Sequence, residues 1–207
     1  MRILGLDEAG RGCVLGPLIV GAYLCEADNL EALTATGATD SKALSAKKRK
    51  AILALLPAIG QARILSISPA QIDAGNINQL EEAAFVDHIR HFKPDVVYID
   101  APVHPRGIPK LQARMIAAVA ADGLTPRWII EPKADANYPV VGAASIAAKV
   151  HRDAEIKALG PVGSGYPSDP VTRAWLLGFI RSGAPLPDCV RKRWGTIENL
   201  RQQALFG

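Results

Sequence analysis

Five short runs of β-branched and apolar residues lie before residue 132: RILGLDE (2–8), PLIVGAYLC (17–25), ARILSIS (62–68), DVVYID (95–100) and RWIIE (127–131). Each is bounded by glycine, proline or polar residues, as strands are. Their spacing restricts how they pair. Only a short glycine-rich loop separates the first two, which predicts an antiparallel hairpin, whereas a helix-length interval separates the fourth from the fifth and predicts a parallel pair. Helical periodicity runs from about Asn78 to His91 and recurs near 109–121, 140–157, 170–182 and 196–205. Ser45 is placed to N-cap a further helix that carries Ile52, Leu53, Leu55 and Leu56, and Pro170 suits a first helical turn. The pattern predicts an α/β fold with a mixed sheet and helices on both faces. At 207 residues and 49% hydrophobic, the chain is long enough for one well-buried core with a small appendage. The boundary falls at residue 160, where GPVGSGYPSDP reads as an exposed loop leading into a helical tail.

Asp7, Asp100 and Asp135 fall at or just after the C-terminal ends of the first, fourth and fifth runs. Where those strands are parallel their ends share one edge, the edge at which open α/β sheets place ligands. With Glu8 they make four carboxylates that a fold could gather. Like charges at a few ångströms raise one another's pKa unless a cation compensates. Oxygen donors without supporting histidine or cysteine point to Mg²⁺ or Mn²⁺ rather than zinc. A two-metal site of this kind holds its ions ~3.5–4 Å apart and stabilises the attacking and leaving oxygens of a phosphoryl transfer. Adjacent strand residues face opposite ways, so Asp7 and Glu8 share a site only if the strand bends, and Gly10 and Gly12 allow that. A lone strand-end aspartate is usually a turn former. The DE pair followed by Gly10-Arg11-Gly12 sets this group apart.

A net charge of +4 allows an anionic partner such as nucleic acid. Three widely spaced cysteines, Cys13, Cys25 and Cys189, with no CxxC, predict free thiols in a reducing compartment and so a cytoplasmic protein. The apolar run between Arg11 and Glu26 is shorter than the ~20 residues a bilayer span needs, and no leader-like n-region opens the chain, so no membrane association is expected.

Several cations are candidates for phosphate binding. Lys47, Lys48 and Arg49 occupy the first turn after Ser45, with Lys42 just upstream. Cations there oppose the helix dipole, which a phosphate partner would offset; a solvated helix end is the alternative. Ser145, Lys149 and Arg152, at i, i+4 and i+7, form a polar stripe on a small-residue helix and are read as facing the site, against a snorkelling lysine and a surface arginine. Asp153 reads as a structural ion-pair partner. Arg191, Lys192 and Arg193 suit a backbone groove, while Trp194 reads as a core anchor. His88 and His91 fit an exposed helix face.

DEAGRG at 7–12, DSK at 40–42, the acid closing VVYID, KAD at 133–135, AASIAAKVHRD at 143–153 and GSGYPSD at 163–169 together resemble the ribonuclease HII family, in the archaeal style, over almost the whole chain. The resemblance implies a ribonuclease H-like fold with sheet order 3-2-1-4-5, a catalytic domain over 1–160 and a helical substrate-binding segment over 161–207 packed on it. It implies a monomeric, metal-dependent endonuclease acting on the RNA strand of RNA/DNA hybrids and on single ribonucleotides in duplex DNA, cutting 5′ to the ribonucleotide to leave 3′-OH and 5′-phosphate. Asp7, Glu8, Asp100 and Asp135 match the family's metal-binding acids. Gly10, Arg11 and Gly12 match its reader of the 2′-hydroxyl and Tyr166 the tyrosine that packs on the neighbouring deoxyribose, while Lys42, Ser145 and Lys149 are substrate-binding candidates from their own placement. The closing QQALFG (202–207) resembles a short sliding-clamp peptide. Rival readings are a resolvase- or integrase-type DNA nuclease, which has no use for a 2′-hydroxyl reader, and a non-catalytic nucleic-acid-binding module, which has no use for gathered carboxylates.

Overall fold

The computed structural model describes residues 1–206, with the side chains of 1–205. Its strands are β1 (Arg2–Ala9), β2 (Leu18–Glu26), β3 (Gln61–Ile67), β4 (Val96–Asp100) and β5 (Arg127–Glu131). Its helices are α1 (Leu30–Ala35), α2 (Ala46–Leu55), α3 (Pro69–Ala74), α4 (Ile77–Phe92), α5 (Ile108–Ala120), α6 (Ala134–Asn137), α7 (Pro139–Ala158), α8 (Pro170–Ser182) and α9 (Gly195–Phe206). The sheet order is β3-β2-β1-β4-β5. The first three strands are antiparallel, and β4 and β5 add in parallel to β1. Spacing alone predicted both the hairpin and the parallel pair.

Strand alternation sorts β1 between two cores. Leu4 and Leu6 join Val97 and Ile99 under Phe85 and Ile89 of α4 and Leu111 and Met115 of α5. Ile3 faces the other way, against α1, α2 and the start of α7, with Tyr23, Leu33, Ile52 and Val141. By the same alternation Asp7 belongs to the α7 face and Glu8 to the α4 face.

Helix α7 approaches β1 and β2 closely because neither side supplies bulk. A Cβ on Gly5 would lie 2.3 Å from the Val140 carbonyl oxygen, and one on Gly21 2.5 Å from that of Ala144. The helix answers with the small residues of GAASIAA. This close fit carries Ser145 to the edge where β1 delivers Asp7.

A third core joins Val14 and Leu15, from the loop after β1, to Ile156, Val162, Leu176, Val190, Ile197 and Leu200. An isolated bridge pairs Leu15 with Val190, and Trp194 packs against both this core and the one under α4 and α5. The tail is therefore fastened to the loop that follows the paired acids.

Two sequence expectations change here. His88 is fully buried rather than on an exposed face. Its Nε2 lies 3.2 Å from the Val20 carbonyl and its Nδ1 3.3 Å from Arg63, and burial lowers its pKa to about 4. It is a neutral core histidine. Arg191 is also fully buried, so it cannot line an open groove.

Gly5→Ala should force α7 off β1 and destabilise the protein by about 1–3 kcal/mol, the usual cost of overpacking. Urea unfolding checks this, and an unchanged midpoint would mean that α7 is not held at backbone distance.

Candidate active site

Asp7, Asp100 and Asp135 each present a carboxylate oxygen within 4.8 Å of the others. Asp7 lies one residue past the last β1–β4 pair, Leu6 with Ile99, and Asp100 ends β4. Asp135 comes from α6, reached through a tight turn after β5. Lys133 in that turn takes the left-handed conformation, φ 61° and ψ 32°, which costs a non-glycine residue ~1–3 kcal/mol. The turn aims its backbone at Asp100: the Ala134 amide donates to its Oδ1 at 3.0 Å.

Asp7 and Asp135 are buried, and every carboxylate here is harder to ionise than usual. Burial raises Asp7 well above the ordinary range, and the charges of Glu8 and Asp100 add to it. Hydrogen bonds from the Ser145 side chain and from the Glu8 amide, 2.7 Å from Oδ1, oppose the shift. Burial also raises Asp100, against its backbone N–H donors and Lys42. Asp135 is pushed up to about 6 by burial, then by Asp100 and Asp40, with Lys42 opposing. Such a set calls for a cation, and its all-oxygen donors fit Mg²⁺ or Mn²⁺.

The tight set is three acids, not four. Glu8 stands beside it, half-buried, its pKa raised by burial and by Asp100 and lowered by Arg11, Asp7 and Lys42. Strand alternation gives the reason, since β1 stays regular through Ala9, paired with Ile19. Lys42 follows Asp40, which caps the turn by accepting from the Lys42 amide at 2.8 Å. Lys42 is exposed, and its charge reaches Glu8, Asp100 and Asp135.

Beside the acids runs the Gly10-Arg11-Gly12 loop. Gly10 has φ +91°, and a Cβ there would come within 2.9 Å of the Pro17 carbonyl oxygen, so glycine is needed on both counts. Arg11 reaches across to Glu81 and Asn78 at the start of α4. Among the described residues, a Cβ on Gly12 would meet only the Tyr166 ring, at 3.9 Å. That ring in turn lies 4.7 Å from the Arg152 guanidinium.

The predicted polar stripe on α7 divides. Ser145 is buried at the acids, with its Oγ 2.9 Å from Ser41 Oγ. Lys149 pairs with Asp153, which also receives Arg152 at 3.0 Å and Arg49 at 3.4 Å. Arg152 is neither a surface nor a substrate-facing residue: it is 2% exposed and donates to Cys13 Sγ at 2.7 Å and to the Ser164 carbonyl. Arg49 likewise turns inward to the carbonyls of Ser41, at 2.8 Å, and Leu44, at 2.6 Å, leaving Lys47 and Lys48 as the exposed cations of that helix start. Sequence reasoning missed these inward arginines because a long charged side chain reads as surface unless its partners, here distant carbonyls, are known.

The ribonuclease HII family model matches residues 4–197. The chain belongs to the ribonuclease HII family. A ribonuclease HII of Archaeoglobus fulgidus is 41% identical over 210 residues, covering 97% of both chains. Among solved structures, ribonuclease H2 from Pyrococcus horikoshii OT3 superposes with a TM-score of 0.85 at 37% identity over 100% of both chains. The PCNA:RNase HII complex from Archaeoglobus fulgidus also gives 0.85, at 39% identity and 97% coverage of each. The protein is therefore a ribonuclease H, a hydrolytic endonuclease of a divalent-metal-dependent family, and its acidic triad is a fitting place for the metal. Among the described residues, no helix is long and apolar enough to cross a membrane.

The raised carboxylates have a consequence without metal. A group with its folded-state pKa raised stabilises the fold fully below its unfolded pKa, and that contribution is lost as pH rises through the folded value, about 6 for Asp135. In EDTA, Asp135→Asn should therefore be more stable than the parent by about 1–3 kcal/mol at pH 8, with the gap closing toward pH 4. Mg²⁺ should reverse the order at pH 8. Thermal unfolding across this range checks it, and a variant less stable than the parent in EDTA at pH 8 contradicts the repulsion account.

Proposed function

We propose that this site hydrolyses the RNA strand of RNA/DNA hybrids and the phosphodiester on the 5′ side of a single ribonucleotide in duplex DNA. Water adds to phosphorus and the bond to the 3′ oxygen breaks, leaving 3′-OH and 5′-phosphate. The observation that carries this reading is the adjacency of three clustered carboxylates and a glycine loop whose Gly12 is exposed beside the Tyr166 ring. Asp7, Asp100 and Asp135, with Glu8 at their flank, would hold two Mg²⁺ or Mn²⁺ ions. Bound there, the ions supply charge for the attacking and leaving oxygens.

The chain's own residues do the recognising. Backbone groups of Gly10, Arg11 and Gly12 meet the 2′-hydroxyl, which marks RNA whatever the base. Tyr166, next to Gly12, packs on the adjoining deoxyribose. Lys42 offers an exposed charge to phosphate. Ser145 acts through Asp7, and Lys149 through Asp153, rather than by direct contact with substrate. Residues 161–206 form the substrate-binding segment that completes this surface.

Labelled duplex DNA with one ribonucleotide, an all-DNA duplex and an RNA/DNA hybrid test the reading. Cleavage should appear with Mg²⁺ or Mn²⁺ on the two RNA-containing substrates and vanish in EDTA. Asp7→Asn should lower turnover by about 100-fold or more while substrate affinity is retained. Equal cutting of the all-DNA duplex would favour a DNA nuclease of resolvase type instead.

The relative solved with PCNA supports a second reading, that the tail 202–207 engages a sliding clamp. Leu205 is 79% exposed; the Phe206 side chain and Gly207 lie outside the described residues. Deleting 202–207 should weaken clamp binding at least tenfold, about 1.4 kcal/mol, without altering cleavage. Unchanged affinity by titration against the cognate clamp removes this role.

A further inference from the structure

We infer that Arg191 is a positioning residue that fixes which backbone groups of Gly10-Arg11-Gly12 face the substrate. The inference rests on the proposed reading of that loop as the 2′-hydroxyl reader. It extends that reading to a residue of the tail, far away in sequence.

The Arg191 guanidinium is fully buried and spends its donors on main-chain carbonyls. One terminal nitrogen donates to Gly10 at 2.7 Å, the other to Arg11 at 2.9 Å, and Nε to Gly16 at 3.1 Å. A trans peptide is planar, with its C=O and the following N–H pointing opposite ways. Drawing the Gly10 and Arg11 carbonyls inward therefore turns the amides of Arg11 and Gly12 outward. Among the described residues neither amide donates to an acceptor within the chain. On the side where a Gly12 Cβ would project, only the Tyr166 ring comes within 4 Å. Two consecutive donors without an acceptor in the described chain, beside an aromatic ring, suit a sugar hydroxyl.

The arginine is itself held on three sides. Its amide donates to the Val14 carbonyl at 2.9 Å, its neighbour Val190 bridges Leu15, and its guanidinium lies 5.1 Å from the Trp194 ring centroid. Arginine is required because its rigid fork spans carbonyls from two backbone segments, where an ammonium is a point donor on a flexible stem. Among the described residues no carboxylate hydrogen-bonds the guanidinium, and anchoring alone could be met by an apolar side chain without desolvating a charge.

The test uses the full chain carrying Asp7→Asn, so that binding is read without turnover. The quantity is the ratio of affinities for duplex DNA with one ribonucleotide and the same duplex in all-DNA form. Adding Arg191→Lys should lower this ratio by about tenfold, roughly the loss of one well-made hydrogen bond, with all-DNA affinity unchanged. Leu33→Ala, a core truncation far from the loop, controls for stability and should leave the ratio intact. An unaltered ratio in folded Arg191→Lys, or an equal fall in Leu33→Ala, overturns the inference. If the Asp7→Asn parent shows no ribonucleotide preference, the reader reading itself fails and this inference falls with it. If Arg191→Lys does not fold, amide exchange in the parent decides: Arg11 and Gly12 should exchange fast when free and be slowed by the ribonucleotide duplex alone. Slow exchange in the free protein, or equal protection by all-DNA duplex, overturns it.

Discussion

Crowding buried carboxylates at one sheet edge is the constraint to which the rest of the molecule answers. Three aspartates within 4.8 Å of one another, two of them buried, repel and lose hydration together. The surroundings lower that cost without removing it. The Lys133 turn spends backbone strain to point an amide at Asp100, α7 comes to backbone distance so that Ser145 reaches Asp7, and the Asp40 turn hangs Lys42 over the cluster. Each carboxylate stays harder to ionise than an ordinary one after all of this, which leaves the site prepared for divalent cations.

A second theme is the use of arginine as internal scaffold. Arg152 and Arg191, each at most 2% exposed, sit behind the proposed recognition surface and bond to the segments that would form it. Arg152 holds the Ser164 carbonyl and the Tyr166 ring, while Arg191 holds the glycine loop. Arg11, inside that loop, is tied outward to α4 through Glu81 and Asn78. A glycine-rich segment has little stiffness of its own, so its shape must come from such ties. They also join the tail to the site, because Arg191 and the bridge of Val190 to Leu15 lie after α8 in sequence and against the loop after β1 in space.

Much of the fold was legible in the chain because it depends on local pattern and connection length. Short β-branched runs gave the strands, the brief loop between the first two required a hairpin, and a helix between the last two required parallel pairing. The aspartates were legible because each ends or follows a strand whose direction that logic sets. Glu8 was not separable from Asp7 on sequence, since the glycines downstream allowed a bend that β1 does not make before Ala9. His88 was misplaced because helical periodicity identifies a face without saying whether a sheet covers it.

The sequence by itself determined the hairpin, the parallel pair, the strand-end placement of the acids and the glycine loop, which follow from residue type and spacing, while the family and the strand order came through the motifs that carry the resemblance. Tertiary structure alone decided which charged side chains face inward. Lys149, Arg152, Arg49 and Arg191 look alike in a list of cations, yet three of them turn to carbonyls and sulfur within the protein and the fourth to a neighbouring carboxylate. The physical reason is that a buried charge depends on partners remote in the chain, and local sequence does not encode those partners.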